Sequence, residues 1–425
     1  MTLFVFVGSL LGAMAIGVPV AFSLMFCGVV LMWYMGMFNT AIIAQNMISG
    51  ADTFTLLAIP FFILAGELMN SGGLSRRIID FAIALVGHIR GGLGIVAIVA
   101  AIIMASISGS AAADTAALAA ILIPMMAKAG YNIPRSGGLI AAGGIIAPVI
   151  PPSMAFIVFG VAANVSITQL FLAGIVPGIL MGTSLIIAWL IVVRKDNVKP
   201  LPKTSGKERL LVTARAGWAL GMPVIILGGI KAGIMTPTEA AVVAAAYALF
   251  VGMVIYRELK PADLFHVLLR AAKSTSIIMF LVCAALVSAW LITAANIPNE
   301  VAGYIEPLID RPMLLMAAIM VLVFIVGTAL DLTPTILILT PVLMPIVKQA
   351  GIDPVYFGVL FIINNAIGLI TPPVGVVLNV VSGVGRIPLG KVTVGVWPFL
   401  VAETIVLALL VIFPDIVLVP LQYLR

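Results

Sequence analysis

Apolar residues run along this chain in long continuous blocks, not in alternation with polar ones. Blocks at 3–20, 21–38, 54–70, 136–165, 170–193, 214–232, 239–256, 274–295, 356–382 and 394–413 reach or approach the length of a membrane-crossing helix. The pattern predicts about ten helical spans and excludes a transmembrane barrel, whose strands would alternate. Two further segments, 93–128 and 315–348, read as helix pairs with a polar break in the middle, "SGSAAAD" in one and "GTALDLTP" in the other. The stretches 74–90 and 261–273 mix apolar and basic positions. They are expected to lie as arm helices in the cytoplasmic interface.

Composition agrees with this pattern. Of 425 residues, 63% are hydrophobic and 9% charged. Mean hydropathy is +1.28, far outside the soluble globular range. The net charge of +6 comes from basic residues gathered in a few loops, which leaves no support for nucleic-acid binding. The most basic loop, "RKDNVKPLPKTSGKERLLVTAR" (194–215), is assigned to the cytoplasm. Counting outward from it, Arg76, Arg77, Arg90, Lys128, Arg135, Arg257, Lys260, Arg270 and Lys273 fall on the same side. The acidic stretch "NIPNEVAGYIEPLIDR" (296–311) falls on the other, as do both termini. The first apolar run is expected to remain as a span. Cys27 and Cys283 lie inside expected spans and read as small packing residues.

The chain repeats itself at a fixed offset of 221. Pro124 pairs with Pro345, Ala129-Gly130 with Ala350-Gly351, and Gly137, Leu139 and Ile146 with Gly358, Leu360 and Ile367. Pro151-Pro152 pairs with Pro372-Pro373, and Gly174 and Pro177 with Gly395 and Pro398. No gap is needed. Five expected spans separate the two hairpins. The odd number turns the second copy upside down, a plan used by secondary transporters. Whether the hairpins re-enter or cross the bilayer fully stays open at this point.

Each Pro-Pro pair removes two backbone donors and forces its helix to unwind inside the membrane. The freed carbonyls need partners. A hard cation such as Na+ is one, and hydroxyls and carbonyls suit it. The first candidate site therefore takes Ser106, Ser108, Gly109 and Ser110 from one hairpin tip, facing Val149, Pro151 and Pro152 in the stretch 147–153. The second takes Gly327, Thr328, Asp331 and Thr333, facing Ile370, Thr371 and Pro373 in the stretch 368–374. Ser110 and Asp331 correspond at the offset. Between the sites, Ser110, Ser153, Asn365, Thr371 and Pro372 are candidates for binding a solute. Competing readings stand beside these. Membrane serines commonly bond back to the preceding turn, and Asp331 could be an ordinary N-cap with Pro334 in the first turn. Asp114 could cap its arm or bind an ion. Glu239 reads as a first-turn helix residue, and Glu67 and Glu403 have no evident partner. An anionic solute would meet helix N-termini and bound cations, since the tips and unwound stretches contain no Lys or Arg.

The stretches "SISGSAAADTAALAAILIPMMAKAGY", "GGIIAPVIPPSMAFIVFG" and "NNAIGLITPPVGVVLN" resemble the large membrane subunit of tripartite ATP-independent periplasmic (TRAP) transporters over essentially the whole chain. The resemblance implies an elevator-type importer of an organic acid, a sialic acid or a C4-dicarboxylate, driven by Na+ across the bacterial inner membrane. It leans toward a sialic acid. It implies a periplasmic substrate-binding protein and a separate small four-helix membrane subunit as partners. The domains then divide at 1–92 (scaffold spans and arm), 93–165 (hairpin and broken helix), 166–314 (scaffold, basic loop and second arm), 315–386 (second hairpin and broken helix) and 387–425. The resemblance carries sodium ligation to Ser106, Ser108, Ser110 and the turn from Val149 to Pro152. It carries it also to Thr328, Asp331 and the turn from Ile370 to Pro373. An ion-only sodium/proton antiporter is the alternative. An enzyme fails because both histidines lie outside the core and no acid or base pairs with the serines. A primary pump fails because the chain has no GxxxxGK loop.

Overall fold

A computed structural model describes residues 1–194, 196 and 198–424. Among the described residues there are twenty α-helices and no strand. The chain opens with α1 (Thr2–Ala15), α2 (Val20–Tyr34), α3 (Thr40–Ala51), α4 (Ala58–Ser71) and α5 (Leu74–Val86). The first hairpin is α6 (Gly92–Ser108) and α7 (Ala111–Lys128), followed by the broken pair α8 (Ile133–Gly144) and α9 (Met154–Ala163). Four long helices follow: α10 (Ile167–Val193), α11 (Gly206–Lys231), α12 (Pro237–Phe250, running on as a π-turn to Ile255) and α13 (Pro261–Ala294). After α14 (Ile297–Ile309) comes the second hairpin, α15 (Pro312–Ala329) and α16 (Leu332–Gln349), and then the broken pair α17 (Pro354–Gly368) and α18 (Val376–Gly385). The chain closes with α19 (Leu389–Ile412) and α20 (Asp415–Leu424).

The molecule is an all-α polytopic membrane protein. Among the described residues, nine helices are long and apolar enough to cross a bilayer. Outward faces carry large apolar side chains such as Ile187 on α10 and Trp397 on α19, and Phe22 and Phe26 on the shorter α2, which bury area where lipid covers them.

The internal repeat is present in three dimensions. Adding 221 to the bounds of α7 returns those of α16, and α8 and α17 begin on the matching N-caps Asn132 and Asp353. The correspondence also reaches further than the motifs showed. Shifted by 221, α3 falls on the start of α13, α4 on its later part, and α5 almost on α14. Apart from the short α14, which matches α5, five elements lie between the hairpins, α8–α9, α10, α11, α12 and α13, and the odd number inverts the two halves.

Three expectations change. The stretch 261–273 is not a separate arm but the first part of one 34-residue helix. Pro261 starts that helix, and no Gly or Pro follows until Pro298 to end it. In the first half the equivalent helix is cut between α3 and α4, where Asp52 and Thr53 draw the backbone into turns. The acidic outer stretch is also more than a loop, since α14 occupies it. Finally, α3 was not visible as a helix of its own, because its twelve residues are short and mixed in polarity.

Among the described residues, four ion pairs tie elements of the chain together. Glu67, without an evident partner in the sequence, meets Arg270 at 2.9 Å, so α4 is pinned to α13. Arg77 pairs with Glu258 at 2.8 Å and lies 3.7 Å from the centre of the Tyr256 ring. Arg135 meets Asp196 at 3.0 Å, and the N-terminal amine meets Glu300 at 2.7 Å.

Candidate functional site

The two hairpin tips and the two helix breaks come together. Gly109, Ser110 and Ala111 of the first tip line a cavity of about 150 Å³. Asp331, Leu332 and Thr333 of the second tip line the same cavity, with Pro148 and Leu369 from the breaks. Ile278 of α13 closes one side.

The first tip touches its break directly. Gly109 has φ of +60° and ends α6 in the left-handed conformation that glycine adopts without strain. A Cβ there would stand 2.8 Å from the Pro152 carbonyl oxygen. Ser110 caps α7, its hydroxyl accepting from the Ala113 N–H at 3.4 Å. The Ser108 hydroxyl donates to Asp114 Oδ1 at 2.5 Å and accepts from the Ser110 N–H at 3.2 Å. Ser106 bonds back to the Ile103 carbonyl at 2.6 Å. In the break, Ser153 caps α9 and its hydroxyl donates to the Pro148 carbonyl. The Val149 carbonyl lies against Gly174 of α10, away from the tip. Pro151 is buried between them, and its bond to Pro152 is cis, as is the Pro372–Pro373 bond.

In the second copy the Thr328 carbonyl accepts from the Val374 N–H at 3.4 Å, which joins tip to break. Gly327 and Gly368 pack backbone to backbone: a Cβ on Gly368 would be 2.6 Å from the Gly327 carbonyl carbon. Asp331 caps α16, accepting from the Leu332 N–H at 2.8 Å. Thr371 and Thr328 donate back to the carbonyls of Ile367 and Ile325, each at 2.8 Å. Thr333 lines the cavity. Ile370 is buried in the break, whereas Pro372 and Pro373 are exposed. The first tip and break are thus shut away, and the second are open to one side.

Some buried acceptors near the tips have no partner. They are Asp114 Oδ2 and Thr115 Oγ1 in the first copy and Asn365 Oδ1 in the second. A buried polar atom without a partner is costly unless a ligand completes it. A cation fits acceptors of this kind. These residues do not match one another at the offset: Asp114 and Thr115 fall on Thr335 and Ile336, and Asn365 falls on Gly144. A Cβ on Gly144 would be 3.2 Å from the Ala111 carbonyl and would collide with Thr115 Oγ1. The Asn365 side chain fills that space in the other copy, with Nδ2 donating to the carbonyl of Leu332, the partner of Ala111, at 3.1 Å. Sequence reading missed Thr115. The available signal was the offset applied to polar positions, which sets Gly144 against Asn365. Among the described residues no three His, Cys, Asp or Glu side chains cluster as for a transition metal. Glu403 is fully buried in α19 with both carboxylate oxygens unpartnered. Glu239 completes a capping box with Thr236.

Asn365→Leu is expected to lower stability by about 1 kcal/mol, because the hydrogen bond from Nδ2 to the Leu332 carbonyl is lost. Thermal unfolding in detergent checks this. Unchanged unfolding would show the bond to be incidental.

The comparisons with known proteins agree with this geometry. The chain is 54% identical to the 2,3-diketo-L-gulonate TRAP transporter large permease protein YiaN of Escherichia coli (strain K12), over the whole of both chains. It is 41% identical to the sialic acid TRAP transporter large permease protein SiaM of Vibrio cholerae, over 96% of each. To the C4-dicarboxylate TRAP transporter large permease protein DctM of Pseudomonas aeruginosa it is 39% identical, over 88% of each. The fold is also similar to the crystal structure of the Alcanivorax borkumensis YdaH transporter, with a TM-score of 0.61 at 15% identity, covering 88% of this chain and 87% of that one. The profile of the DctM component matches residues 7–416. The two inverted halves, with their hairpin tips set against broken helices, are thus a transporter's architecture and not an enzyme's, and the chain belongs to the family of the DctM component of tripartite ATP-independent periplasmic transporters.

Proposed function

We propose that the chain imports an organic acid across the bacterial inner membrane, coupled to Na+, with both termini on the outer face. The observation that carries this reading is the single cavity shared by two tips and two breaks, with orphaned acceptors beside it. One cation sits at each tip. In the first copy the Ser110 and Ser108 hydroxyls and the Pro152 carbonyl face it, with Asp114 close by. In the second the Asp331 carboxylate and the Thr328 carbonyl do so, with Asn365 and Thr371 close by. The N-termini of α7 and α16 open on the cavity and supply positive potential for a carboxylate. The solute sits between the cations, which makes its affinity depend on sodium.

The block formed by both hairpins and both broken helices moves against the remaining helices as an elevator. A periplasmic binding protein delivers the solute, and a separate small four-helix subunit supports the assembly. Relatives transport a sialic acid, C4-dicarboxylates and 2,3-diketo-L-gulonate, and identity is higher with the last. On that ground a hydroxylated keto-acid of the sugar-acid type is the solute we propose, ahead of a sialic acid.

The test is uptake into proteoliposomes containing the small subunit and the binding protein, screened over organic acids. A sodium gradient should drive accumulation of one acid class, with no proton flux in its absence. Sodium-driven proton movement without any acid would instead make the chain an ion-only antiporter.

A further inference from the structure

A groove of about 490 Å³ runs between α10 and α19. It faces outward: Ile187, Ile191, Val401 and Ile405, which line it, are each more than half exposed. Among the described residues, no charged or amide side chain lines it. Its two hydroxyls are spent on the backbone, Thr183 donating to the Ile179 carbonyl at 2.8 Å and Ser184 to that of Met181 at 2.7 Å. The wall therefore offers a guest little but apolar contact. The lining runs from Leu180 to Val192 on α10 and from Pro398 to Leu409 on α19. At the helical rise this is roughly 16–18 Å, close to one leaflet's half of a hydrocarbon core about 30 Å thick. A lipid tail fits that length, whereas a crossing helix would overrun it.

At one end the groove meets a recess of about 520 Å³, with which it shares Ile191, Val192 and Pro398. This end is basic. Arg135, near the start of α8, lines the recess, and its Nη1 donates to the Val192 carbonyl at 3.3 Å and to Asp196 at 3.0 Å. Gly395 of α19 lies against the Arg135 backbone: a Cβ there would be 2.9 Å from the Arg135 nitrogen. One turn earlier stands the exposed Lys391, on the helix face that continues through Val394, Gly395 and Pro398 into the groove. Arg194 follows α10 directly. Three basic residues thus stand at this end of the groove, against the carboxylate of Asp196.

We infer that groove and recess together form a phospholipid site, with an acyl chain in the groove and a negatively charged phosphodiester headgroup at Arg135 and Lys391. The apolar wall disfavours a polar solute, and the excess of positive charge at the mouth selects an anionic headgroup over a zwitterionic one. Basic pockets between spanning helices recognise anionic lipid heads in this way. The bound lipid touches the start of α8, α10 and α19 at once, and so joins the first broken helix to its two neighbours. Placing it in the cytoplasmic leaflet rests on the orientation proposed above; the site itself does not.

The test reads lipid contact directly. Val401→Cys, on the lining, carries a bimane label in the purified chain held in nanodiscs, and Val224→Cys, exposed on α11, serves as reference. The native thiols, Cys27 and Cys283, are buried. The probes are phosphatidylglycerol and phosphatidylcholine bearing the same nitroxide-labelled acyl chain, each diluted into unlabelled phosphatidylcholine. The ratio of quenching by the first to quenching by the second should be about fivefold higher at position 401 than at 224, the weight of one basic side chain near a membrane surface. Lys391→Gln should lower that ratio at least twofold, and adding Arg135→Gln should bring it to the value at 224. Ala188→Phe, which fills the groove, should do the same with both charges in place. Equal ratios at 401 and 224 would mean annular lipid only and would overturn the inference. So would a ratio that survives Lys391→Gln, or one abolished by adding the small subunit, which would give the groove to that chain. The readout needs no solute, sodium or uptake, so this site can fail while transport stands, and the reverse.

Discussion

Replacing Asp331 by asparagine is expected to lower uptake at limiting sodium by tenfold or more while the protein still inserts and unfolds at its usual temperature. Asparagine caps a helix about as well as aspartate, so the bond to the Leu332 N–H survives. What disappears is the negative charge at the rim of the shared cavity. A carboxylate that only caps α16 would leave sodium dependence unchanged in this variant. One that holds a cation would shift half-saturation strongly, because the uncharged oxygens that remain are weaker ligands for a hard ion. Uptake measured over a range of sodium concentrations separates the two, and an unaltered curve would remove Asp331 from the mechanism.

Gly368→Ala is expected to be as damaging by a different route. The added methyl would meet the Gly327 carbonyl carbon and oxygen at 2.6 Å. Backbone cannot swing aside as a side chain does, so α15 must move away from α17. Overpacking of this kind costs about 1–3 kcal/mol, and here it also draws the second tip off its break. Sodium-dependent uptake should fall at least tenfold. Gly383→Ala, one element later with nothing within 4 Å, should have no effect. If both variants transport normally, the tight seating of hairpin on broken helix is not required.

Much of this arrangement was legible in the chain. The Pro-Pro pairs and the offset of 221 located both broken helices, because proline acts on its own backbone and needs no tertiary context. The parity of spans gave the inversion. What stayed hidden depends on distance between elements. Serines at 106, 108 and 110 look alike in sequence, but Ser106 turns back to Ile103 while Ser108 meets Asp114. Val149 and Pro152 differ in the same way: one carbonyl faces Gly174 and the other faces the tip. Thr115 carries no motif, and it matters only because Gly144 lies against it. Nor could the pattern say that 261–273 continues into a span, since an amphipathic stretch and the end of a long helix have the same periodicity.

The central claim is that each tip, set against its own break, holds one sodium ion. Equilibrium binding of radioactive sodium to the purified protein in nanodiscs tests it most directly. Wild type should saturate at about two ions per chain and Asp331→Asn at about one, with the remaining ion held at the first tip. Saturation near zero, or the same number in both proteins, would contradict the account.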